Sequence, residues 1–353
     1  DADDSNGLIT KYEVCYQCGS TNPNCDTRKN ITGVYSTMIY LTGLSPNVMY
    51  GVAVRAFTII GTGPLGHSKS VKTNESVPED GATVTNILPV SSTVLQVSWN
   101  KLQNGTNGNI TGYIVCYETG QSSLRSLCEN YTLVIGADNT TFILTALNEA
   151  TWYYVAVKAG TRAGFGPIAN TVKNKTLEDK PARGPNIVRI TSASPTTISI
   201  DWEKLSLDDA NGVITKHRVC YKTTGSSRGL CNFSKTVDKN ARSTTLSGLK
   251  KDTSYVVAVQ AATLIGYGPP GINMIARTRE DIPGPPKIDS QSAIVTFTSI
   301  SLNWSSPLQP NGEILKYKVC WRLADATLND CYETLKLTSS FFFLLDLKPG
   351  TSY

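Results

Sequence analysis

The sequence predicts an all-β protein in which one small domain is repeated four times in tandem. An eleven-residue phrase occurs four times, at spacings close to the length of one small domain. Short segments alternate between apolar and mixed residues, and no segment shows sustained helical periodicity. Many short strands separated by turn signals are typical of β-sandwiches.

The repeated phrase begins with Asn-Gly and ends in Cys-Tyr or Cys-Trp. Its cysteines stand 101, 104 and 100 residues apart, a period too long for a solenoid unit and suited to a domain. Alternation after an Asn-Gly turn signal predicts a half-buried strand. In the second copy, Tyr113, Val115 and Tyr117 should face the core, and Cys116 should face out. The four copies span residues 6–16, 107–117, 211–221 and 311–321.

Two further patterns recur around this phrase. A Leu-x-x-Leu unit is followed six residues later by a tyrosine, then in three repeats by a Val-Ala-Val strand and a Gly-x-Gly-Pro turn. The second pattern precedes the phrase in three repeats and ends in tryptophan, which its period of two places on the core face. The residues concerned are Tyr50, Tyr153, Tyr255 and Tyr353, and Trp99, Trp202 and Trp304.

Domain boundaries are predicted where acidic residues meet proline. The linkers there are short and contain proline, which favours a semi-rigid rod over freely jointed domains. The first repeat should lack its first strands and the last repeat its last strands, so we expect the chain to be a piece of a longer protein. The predicted repeats are residues 1–76, 77–178, 179–280 and 281–353.

The order of these motifs resembles that of tandem fibronectin type III modules, and the resemblance covers the whole chain. The order is the tryptophan, Tyr-x-Val-x-Tyr, the leucine pair with its tyrosine, and Gly-x-Gly-Pro. The resemblance implies seven-stranded immunoglobulin-like sandwiches with sheets A-B-E and C′-C-F-G, and a tyrosine corner after the leucines. An immunoglobulin domain, the nearest rival, places its tryptophan on strand C. Here Trp99 precedes Cys116 by 17 residues, on strand B. The Trp-Ser-x-Trp-Ser signature of class I cytokine receptors is absent.

The cysteines depart from the common module. Most pair by spacing, at separations of 10 to 12 residues in every repeat, which predicts disulfides and an oxidising compartment. Zinc is the competing interpretation, but two cysteines per domain without a local histidine do not make a four-ligand site. We expect each bridge to cross from strand C to strand C′ on the outer face of the hairpin. The predicted pairs are Cys15 with Cys25, Cys116 with Cys128, Cys220 with Cys231, and Cys320 with Cys331.

Cys18 is the ninth cysteine and has no counterpart in the other repeats. A bridge from Cys18 to Cys25 is the alternative to Cys15–Cys25. The match of Cys15 to its equivalents favours the latter and leaves Cys18 free or intermolecular. Cys15 and Cys18 have the spacing of a redox motif, but they lie at a strand end with no helix after them.

Sequons for N-linked glycosylation are more frequent than composition predicts, and each is an acceptor only in a secreted protein. They lie at Asn30, Asn74, Asn104, Asn109, Asn130, Asn139, Asn174, Asn232 and Asn303.

No catalytic constellation is present, so we expect a non-enzyme without metal or cofactor. The two histidines, His67 and His217, belong to different repeats. His217 takes the place of core-facing tyrosines, which predicts a packed core residue. Asp208 and Asp209 are expected in a solvated turn and not in a calcium site.

Candidate binding residues lie on turns and on one strand face. Phe165 and Tyr267 occupy the Gly-x-Gly-Pro tips, where a tight turn with a partly covered ring is the alternative. Lys216, Arg218 and Lys222 share the outward parity of Cys220. Residues 179–280 carry 15 Lys and Arg against 8 Asp and Glu, a net charge of +7. Glycosaminoglycan binding is the functional hypothesis for this basic row, and a solvated face is the alternative.

The resemblance implies an extracellular or cell-surface segment of an adhesion or receptor protein that contacts proteins or glycans through its loops. Nucleic acid is not an expected partner, and the Arg-Gly-Asp tripeptide is absent. Two alternatives remain open: a spacer in an enzyme such as a receptor-type tyrosine phosphatase, and a secreted structural matrix protein. No apolar run is long enough for a transmembrane helix, although the parent protein could still be membrane-anchored.

Overall fold

The structure is a computed structural model that describes residues 7–33, 35–120, 128, 130–324, 327, 330–333 and 340–353. The chain divides into two compact units, Asp1–Leu177 and Glu178–Tyr353. Each unit holds two of the predicted repeats. Apart from one short helix and one 3-10 turn, the regular structure in the described residues is antiparallel sheet, which confirms the all-β prediction.

The first repeat forms one four-stranded antiparallel sheet in the order β2-β1-β3-β4, which corresponds to C′-C-F-G. The cysteine-bearing phrase forms the long strand β1, whose burial peaks at Val14 and Cys15. Asn6, the first residue of this copy of the phrase, lies outside the described residues. The strands are β1 (Ile9–Cys18), β2 (Arg28–Thr32), β3 (Met49–Thr58) and β4 (Lys69–Lys72).

The second repeat is a two-sheet sandwich. One sheet has the order β5-β6-β9, and the other has the order β11-β10-β7-β8 with β12 also paired to β10. Apart from the two-residue strand β11, these are the seven strands A-B-E and C′-C-F-G that the resemblance implies. The strands are β5 (Val84–Ser91), β6 (Val94–Trp99), β7 (Gly112–Thr119), β8 (Tyr131–Ile135), β9 (Thr141–Leu144), β10 (Trp152–Thr161), β11 (Gly164–Phe165) and β12 (Val172–Lys175).

The third repeat has the same two sheets, in the orders β13-β14-β17 and β16-β15-β18-β19. A short helix, α1 (Leu207–Ala210), lies between strands B and C, and a 3-10 turn (Leu230–Asn232) precedes strand C′. The strands are β13 (Ile187–Ser194), β14 (Thr197–Trp202), β15 (Lys216–Thr223), β16 (Phe233–Asp238), β17 (Ser243–Leu246), β18 (Ser254–Ala262) and β19 (Met274–Arg277).

The fourth repeat contains a three-stranded sheet in the order β20-β21-β24 and the two-stranded hairpin β22-β23. These correspond to strands A-B-E and C-C′. The strands are β20 (Lys287–Val295), β21 (Ile300–Ser305), β22 (Lys318–Trp321), β23 (Asp330–Glu333) and β24 (Phe341–Leu344).

The cores form as the period of two predicts. In β6 and in β14, every second side chain is buried, and each strand ends on a buried tryptophan. Trp99 meets Tyr113 edge-on with ring centroids 5.3 Å apart, and Trp202 meets His217 at 5.9 Å. Because these contacts join strand B of one sheet to strand C of the other, they fix the two sheets against each other.

The tyrosine corner is present in all four repeats. Each tyrosine hydroxyl accepts a hydrogen bond from the backbone N–H five residues earlier, at 2.8–2.9 Å. The four tyrosines are Tyr50, Tyr153, Tyr255 and Tyr353.

The Asn-Gly pair that opens the phrase holds the linker residues at the start of its own repeat. Asn211 has a left-handed φ of 49°, which asparagine tolerates better than most residues. Its carbonyl accepts from the N–H of Asp179 at 2.8 Å, and its side-chain amide donates to the carbonyl of Lys180 at 3.1 Å. Gly212 is needed because a Cβ there would lie 2.8 Å from the side chain of Glu178.

This clamp recurs with the same geometry in two other repeats. Asn107 and Asn311 have φ values of 52° and 53°. Their side chains donate to the carbonyls of Val77 and Ile282 at 3.2 and 2.8 Å. The turn signal in the sequence is therefore also the anchor for the preceding linker residues.

We expect Asn211→Ala to destabilise the clamp by about 2 kcal/mol, since it removes one hydrogen bond and leaves in the left-handed region a residue that tolerates this conformation less well than asparagine. Asn211→Gly is the matched control, because it tolerates the positive φ and should cost about 1 kcal/mol. Hydrogen exchange at the Asp179 amide measures both variants. Equal protection in Asn211→Ala and in the unsubstituted chain would contradict the clamp.

Candidate functional site

The disulfides lie on the outer side of strand C, largely shielded from solvent in the first three repeats but exposed at Cys320 and Cys331 in the fourth. The structure joins Cys15–Cys25, Cys116–Cys128, Cys220–Cys231 and Cys320–Cys331, with Cα atoms 4.1–5.3 Å apart. The strand C cysteine is fully buried in the first three repeats, so its outward parity does not expose it to solvent. Cys116 packs in a small cluster of its own, separate from the sandwich core, against Ala156, Tyr154 and Ile168.

The second cysteine of each pair was expected on strand C′, and this holds only in the fourth repeat. There Cys320 and Cys331 are directly opposite each other in the β22-β23 ladder. In the first three repeats, Cys25, Cys128 and Cys231 come before strand C′ begins. The bridge in those repeats therefore ties strand C to the connection that leads into the edge strand.

Cys18 ends β1 with an exposed thiol outside the bridges. Glu13 and the sulfurs of Cys15 and Cys25 lie within 4.8 Å of one another, the one such group of potential metal ligands among the described residues. Because the two sulfurs are bonded to each other, they offer no thiolate to a metal. Glu13 is instead bonded to Arg55, whose Nε donates at 2.7 Å.

The sequon asparagines are mostly exposed. Asn174 and Asn303 are half-buried, and the Nδ2 of Asn174 donates to the carbonyl of Ile87 at 2.6 Å. Asn139 is exposed, although its Nδ2 donates to the carbonyl of Ile135. The exposed asparagines are Asn30, Asn74, Asn104, Asn109, Asn130, Asn139 and Asn232.

Three of the predicted binding residues meet on the outer face of the third repeat. The guanidinium carbon of Arg218 lies 3.9 Å from the ring centroid of Tyr267, and the Nζ of Lys216 lies 5.3 Å from it. Arg218 also donates two hydrogen bonds to Oε1 of Gln260, at 3.0 and 2.7 Å. We call Lys216, Arg218 and Tyr267 the basic outer face. Its ring is partly covered by the cations, in keeping with the covered-ring alternative for this turn.

Lys222 does not join this group. Its ammonium donates to the carbonyls of Ser226 and Arg228, at 3.2 and 2.9 Å, and so stabilises the connection between strands C and C′. The row of three outward cations is thus reduced to Lys216 and Arg218, because Lys222 is engaged by the backbone.

Phe165 occupies the corresponding turn of the second repeat. Its side chain is 41% exposed, and its ring lies against Gly160, where a Cβ would be 2.6 Å away. Gly160 is paired with Gly112, the position that Lys216 holds in the third repeat. The aromatic ring of this turn therefore lies over bare backbone in the second repeat, where it is Phe165, and under two cations in the third, where it is Tyr267.

No sequence pattern singles out Gln260 in the third repeat or Lys11 in the first, although each shapes the outer face of its own repeat. Gln260 is directly opposite Arg218 in the ladder, and its Oε1 contacts the sulfurs of Cys220 and Cys231 at 3.2 and 3.1 Å. Lys11, at the position equivalent to Lys216, lies 4.3 Å from the ring centroid of Phe57. Only the cross-strand register brings these residues together.

His217 is buried on the core side of β15, as expected for a residue in a tyrosine position. Its Nδ1 lies 3.4 Å from the carbonyl of Asp238. Burial lowers the pKa of His217 from its ordinary value of 6.5, and the nearby Arg242 lowers it further, while the carbonyl and charge of Asp238 oppose the shift. The folded repeat therefore holds a neutral imidazole.

The sequence model of the fibronectin type III domain matches residues 78–175, 183–277 and 284–353. The chain belongs to the fibronectin type III family. It is 30% identical to the cell adhesion molecule DSCAM of Gallus gallus over 319 residues, which is 90% of this chain and 16% of that protein. The corresponding human protein is 29% identical over the same share. The chain thus spans about a sixth of these relatives.

Two other similarities complete the comparison. The Lar-like tyrosine-protein phosphatase of Caenorhabditis elegans is 28% identical over 333 residues, or 89% of this chain and 15% of that protein. A crystal structure of the FN1–FN3 domains of chicken CNTN1 covers 78% of this chain and 91% of its own, at 21% identity and a TM-score of 0.30.

The disulfides and the similarity to cell adhesion molecules together indicate an extracellular or cell-surface segment. Among the described residues, no helix has the length and apolar character needed to cross a membrane.

The buried His217 predicts that the third repeat loses stability in mild acid. The unfolded chain takes up a proton near pH 6.5, whereas the folded state resists it. Stability is therefore complete above that pH and lost as the pH falls, by up to about 1.4 kcal/mol at pH 5.5.

The matched variant is His217→Tyr, which restores the residue found at Tyr113. Its third-repeat unfolding, followed by urea titration at pH 7.5 and 5.5, should lack this pH dependence. A pH dependence that is the same in both proteins would show that His217 is not its source.

Proposed function

We propose that the chain is a non-catalytic extracellular segment of a cell-adhesion or receptor protein that presents the outer faces of its repeats to other molecules. The observation that carries this proposal is that the repeats share their inner faces and differ in their outer ones. The core tryptophan and the tyrosine corner recur from repeat to repeat, whereas on the outer side only the disulfide is common to all four.

The differences are sharpest at one cross-strand position beside the disulfide. The first repeat has an ion pair there, the second an isoleucine opposite a lysine, and the third an arginine opposite a glutamine. The three pairs are Glu13 with Arg55, Ile114 with Lys158, and Arg218 with Gln260. A position that is structurally equivalent yet chemically different in each repeat supports a role in partner contact.

The basic outer face is the part of this surface with the clearest chemistry. Lys216 is exposed, and Arg218 is held in place by Gln260 and the ring of Tyr267. A guanidinium fixed in this way loses less conformational freedom on binding. Its partner would be an acidic protein surface or a glycosaminoglycan.

A second candidate function is a spacer in the ectodomain of a receptor-type tyrosine phosphatase. The similarity to a Lar-like phosphatase over 89% of this chain favours it. In both cases the repeats themselves contribute binding surfaces and no catalysis.

We also propose N-linked glycans at the exposed sequon asparagines. Several of these border strand C′, the edge of its sheet: Asn30 lies on β2, while Asn130 and Asn232 immediately precede β8 and β16. Glycans there would protect the edge against pairing with another chain. Asn174 is a poor acceptor, because it is half-buried and its amide donates to the carbonyl of Ile87.

The test is binding of the purified chain to cultured cells, with and without heparinase treatment. We expect binding that falls several-fold in Lys216→Ser with Arg218→Ser and weakens as salt rises. Lys222→Ser should have little effect, because the Lys222 ammonium is bonded to carbonyls. Sensitivity to heparinase would identify a glycosaminoglycan partner, and resistance would identify a protein.

Lys235→Ser with Lys250→Ser is the matched control, since it removes the same charge elsewhere on the third repeat. If cell binding falls equally in the two double variants, the basic outer face contributes only nonspecific charge. A chain that binds no cell surface at all would contradict the proposed function.

A further inference from the structure

A pocket of about 270 Å³ lies at one end of the third repeat, between the B–C connection and the turn that follows strand C′. Three cationic side chains line it, Lys204, Lys239 and Arg242. Its remaining wall is largely apolar, and His217 contributes to it from the core side. The other lining residues are Leu205, Leu207, Ala210, Gly212, Val213, Ile214 and Asn240. No acidic side chain lines the pocket.

The second repeat shows how the same place looks when it is filled. Tyr113 stands at the position of His217, and its hydroxyl donates to the carbonyl of Ala137 at 3.0 Å. Lys101 stands at the position of Lys204 and pairs with Asp138 at 2.6 Å. This pairing lowers the pKa of Asp138 and raises that of Lys101.

Substitutions at equivalent positions open the pocket in the third repeat. His217 is shorter than tyrosine and has no hydroxyl to reach across. The backbone N–H of Trp99 donates to the carbonyl of Thr140, and that of Trp202 donates to the carbonyl of Arg242, which makes Thr140 and Arg242 equivalent. By the same register, Asn240 stands where Asp138 does, so Lys204 loses the carboxylate that its counterpart has.

The other two cations have no counterpart in the second repeat. Arg242 replaces Thr140, and Lys239 replaces Ala137. The Nη1 of Arg242 donates to the carbonyls of Lys239 and Ala241, at 3.1 and 2.7 Å, which fixes the guanidinium at the rim. Compared with the second repeat, the third repeat thus gains two cations here, Lys239 and Arg242, and loses one carboxylate.

Carboxylates near the pocket are already engaged. The carboxylate of Asp209 in α1 pairs with Arg183 at 2.7 Å and accepts a hydrogen bond from the hydroxyl of Ser206. Asp238 accepts from the backbone N–H of Asn240 at 2.8 Å. Positive charge in a concave site with apolar walls is focused, and attracts anions more strongly than the same charge on an open surface.

We propose that this pocket binds a single anionic sugar residue of a cell-surface glycan. The sulfate or carboxylate group would be held by Lys204, Lys239 and Arg242, while the sugar ring covers the apolar wall. A bare inorganic ion would leave the exposed side chains of Leu207 and Val213 facing water. The volume is slightly below the usual range for drug-sized ligands, which fits one sugar residue and excludes a chain of them inside the pocket.

The proposal rests on the extracellular location of the segment and not on the basic outer face. Lys216 has the opposite parity to His217 on β15, so the two sites share no residue. Loss of one site should therefore leave the other intact, and the two proposals can fail separately.

The test is an NMR titration of the full chain, followed at the ring protons of its histidines. The chain has two histidines, so His217 reports on the pocket and His67 serves as an internal control. The probes are N-acetylglucosamine 6-sulfate, N-acetylneuraminic acid, neutral N-acetylglucosamine and inorganic sulfate. We expect the anionic sugars to shift the His217 signals at concentrations at least tenfold lower than the neutral sugar.

The two anionic probes distinguish the source of the negative charge. Binding of either one supports the pocket, and their relative affinity identifies a sulfated or a carboxylated sugar. Inorganic sulfate that binds as tightly as the better sugar would overturn the assignment of a sugar residue. No His217 shift with either anionic sugar would overturn the site itself.

The decisive variant is Asn240→Asp, which gives Lys204 the carboxylate that Lys101 has. It should weaken binding at least tenfold, as should Lys204→Gln with Lys239→Gln, while Lys250→Gln and Lys216→Gln with Arg218→Gln leave it unchanged. These positions are exposed or half-exposed. A urea unfolding transition like that of the unsubstituted chain verifies that each variant is folded. Unchanged binding in Asn240→Asp would contradict the proposal.

Discussion

The alternation of strand C is the constraint on which the rest of each complete repeat depends. One set of side chains packs between the two sheets, where His217 or Tyr113 meets the tryptophan of strand B. The other set lies outside with the cysteine. Because successive side chains of a strand point to opposite faces, a residue's position in the phrase decides whether it contributes to stability or to the surface. A shift of one residue would exchange the two sets.

This separation explains how one module can be repeated with different surfaces. The inner set is restricted by packing, since even small changes in volume are felt in a close-packed core. The outer set is less restricted, and even the side chain beside the disulfide differs: it is Glu13 in the first repeat and Gln260 in the third. Beyond it, charge and shape can vary, as the basic outer face does. The substitution of a core tyrosine by His217 is an exception, because it changes the pocket at the end of the repeat.

Much of the fold follows from the sequence because it depends on local periodicity. A period-two pattern and fixed spacings are enough to predict the core tryptophans, the tyrosine corners, the strand parity and the burial of His217. The burial of Cys116 and the start of strand C′ after Cys128 were not, since they depend on what packs over the outer face. The contacts of Arg218 with Gln260 and Tyr267 depend on the register between strands that are 40 or more residues apart, and Lys222 binds carbonyls whose positions only the folded loop determines.

The most direct test is to compare unfolding free energies for neighbouring positions of opposite parity in β15. Arg218→Ile with Gln260→Lys transplants the outer pair of the second repeat into the third, and should change the unfolding free energy of that repeat by no more than about 1 kcal/mol. Val219→Ala, one residue along and fully buried, should cost about 2 kcal/mol or more. Urea unfolding of the third repeat measures both. A transplanted pair that unfolds the repeat, or a Val219→Ala variant as stable as the unsubstituted chain, would contradict the division of strand C into an inner face that stabilises and an outer face that is free to vary.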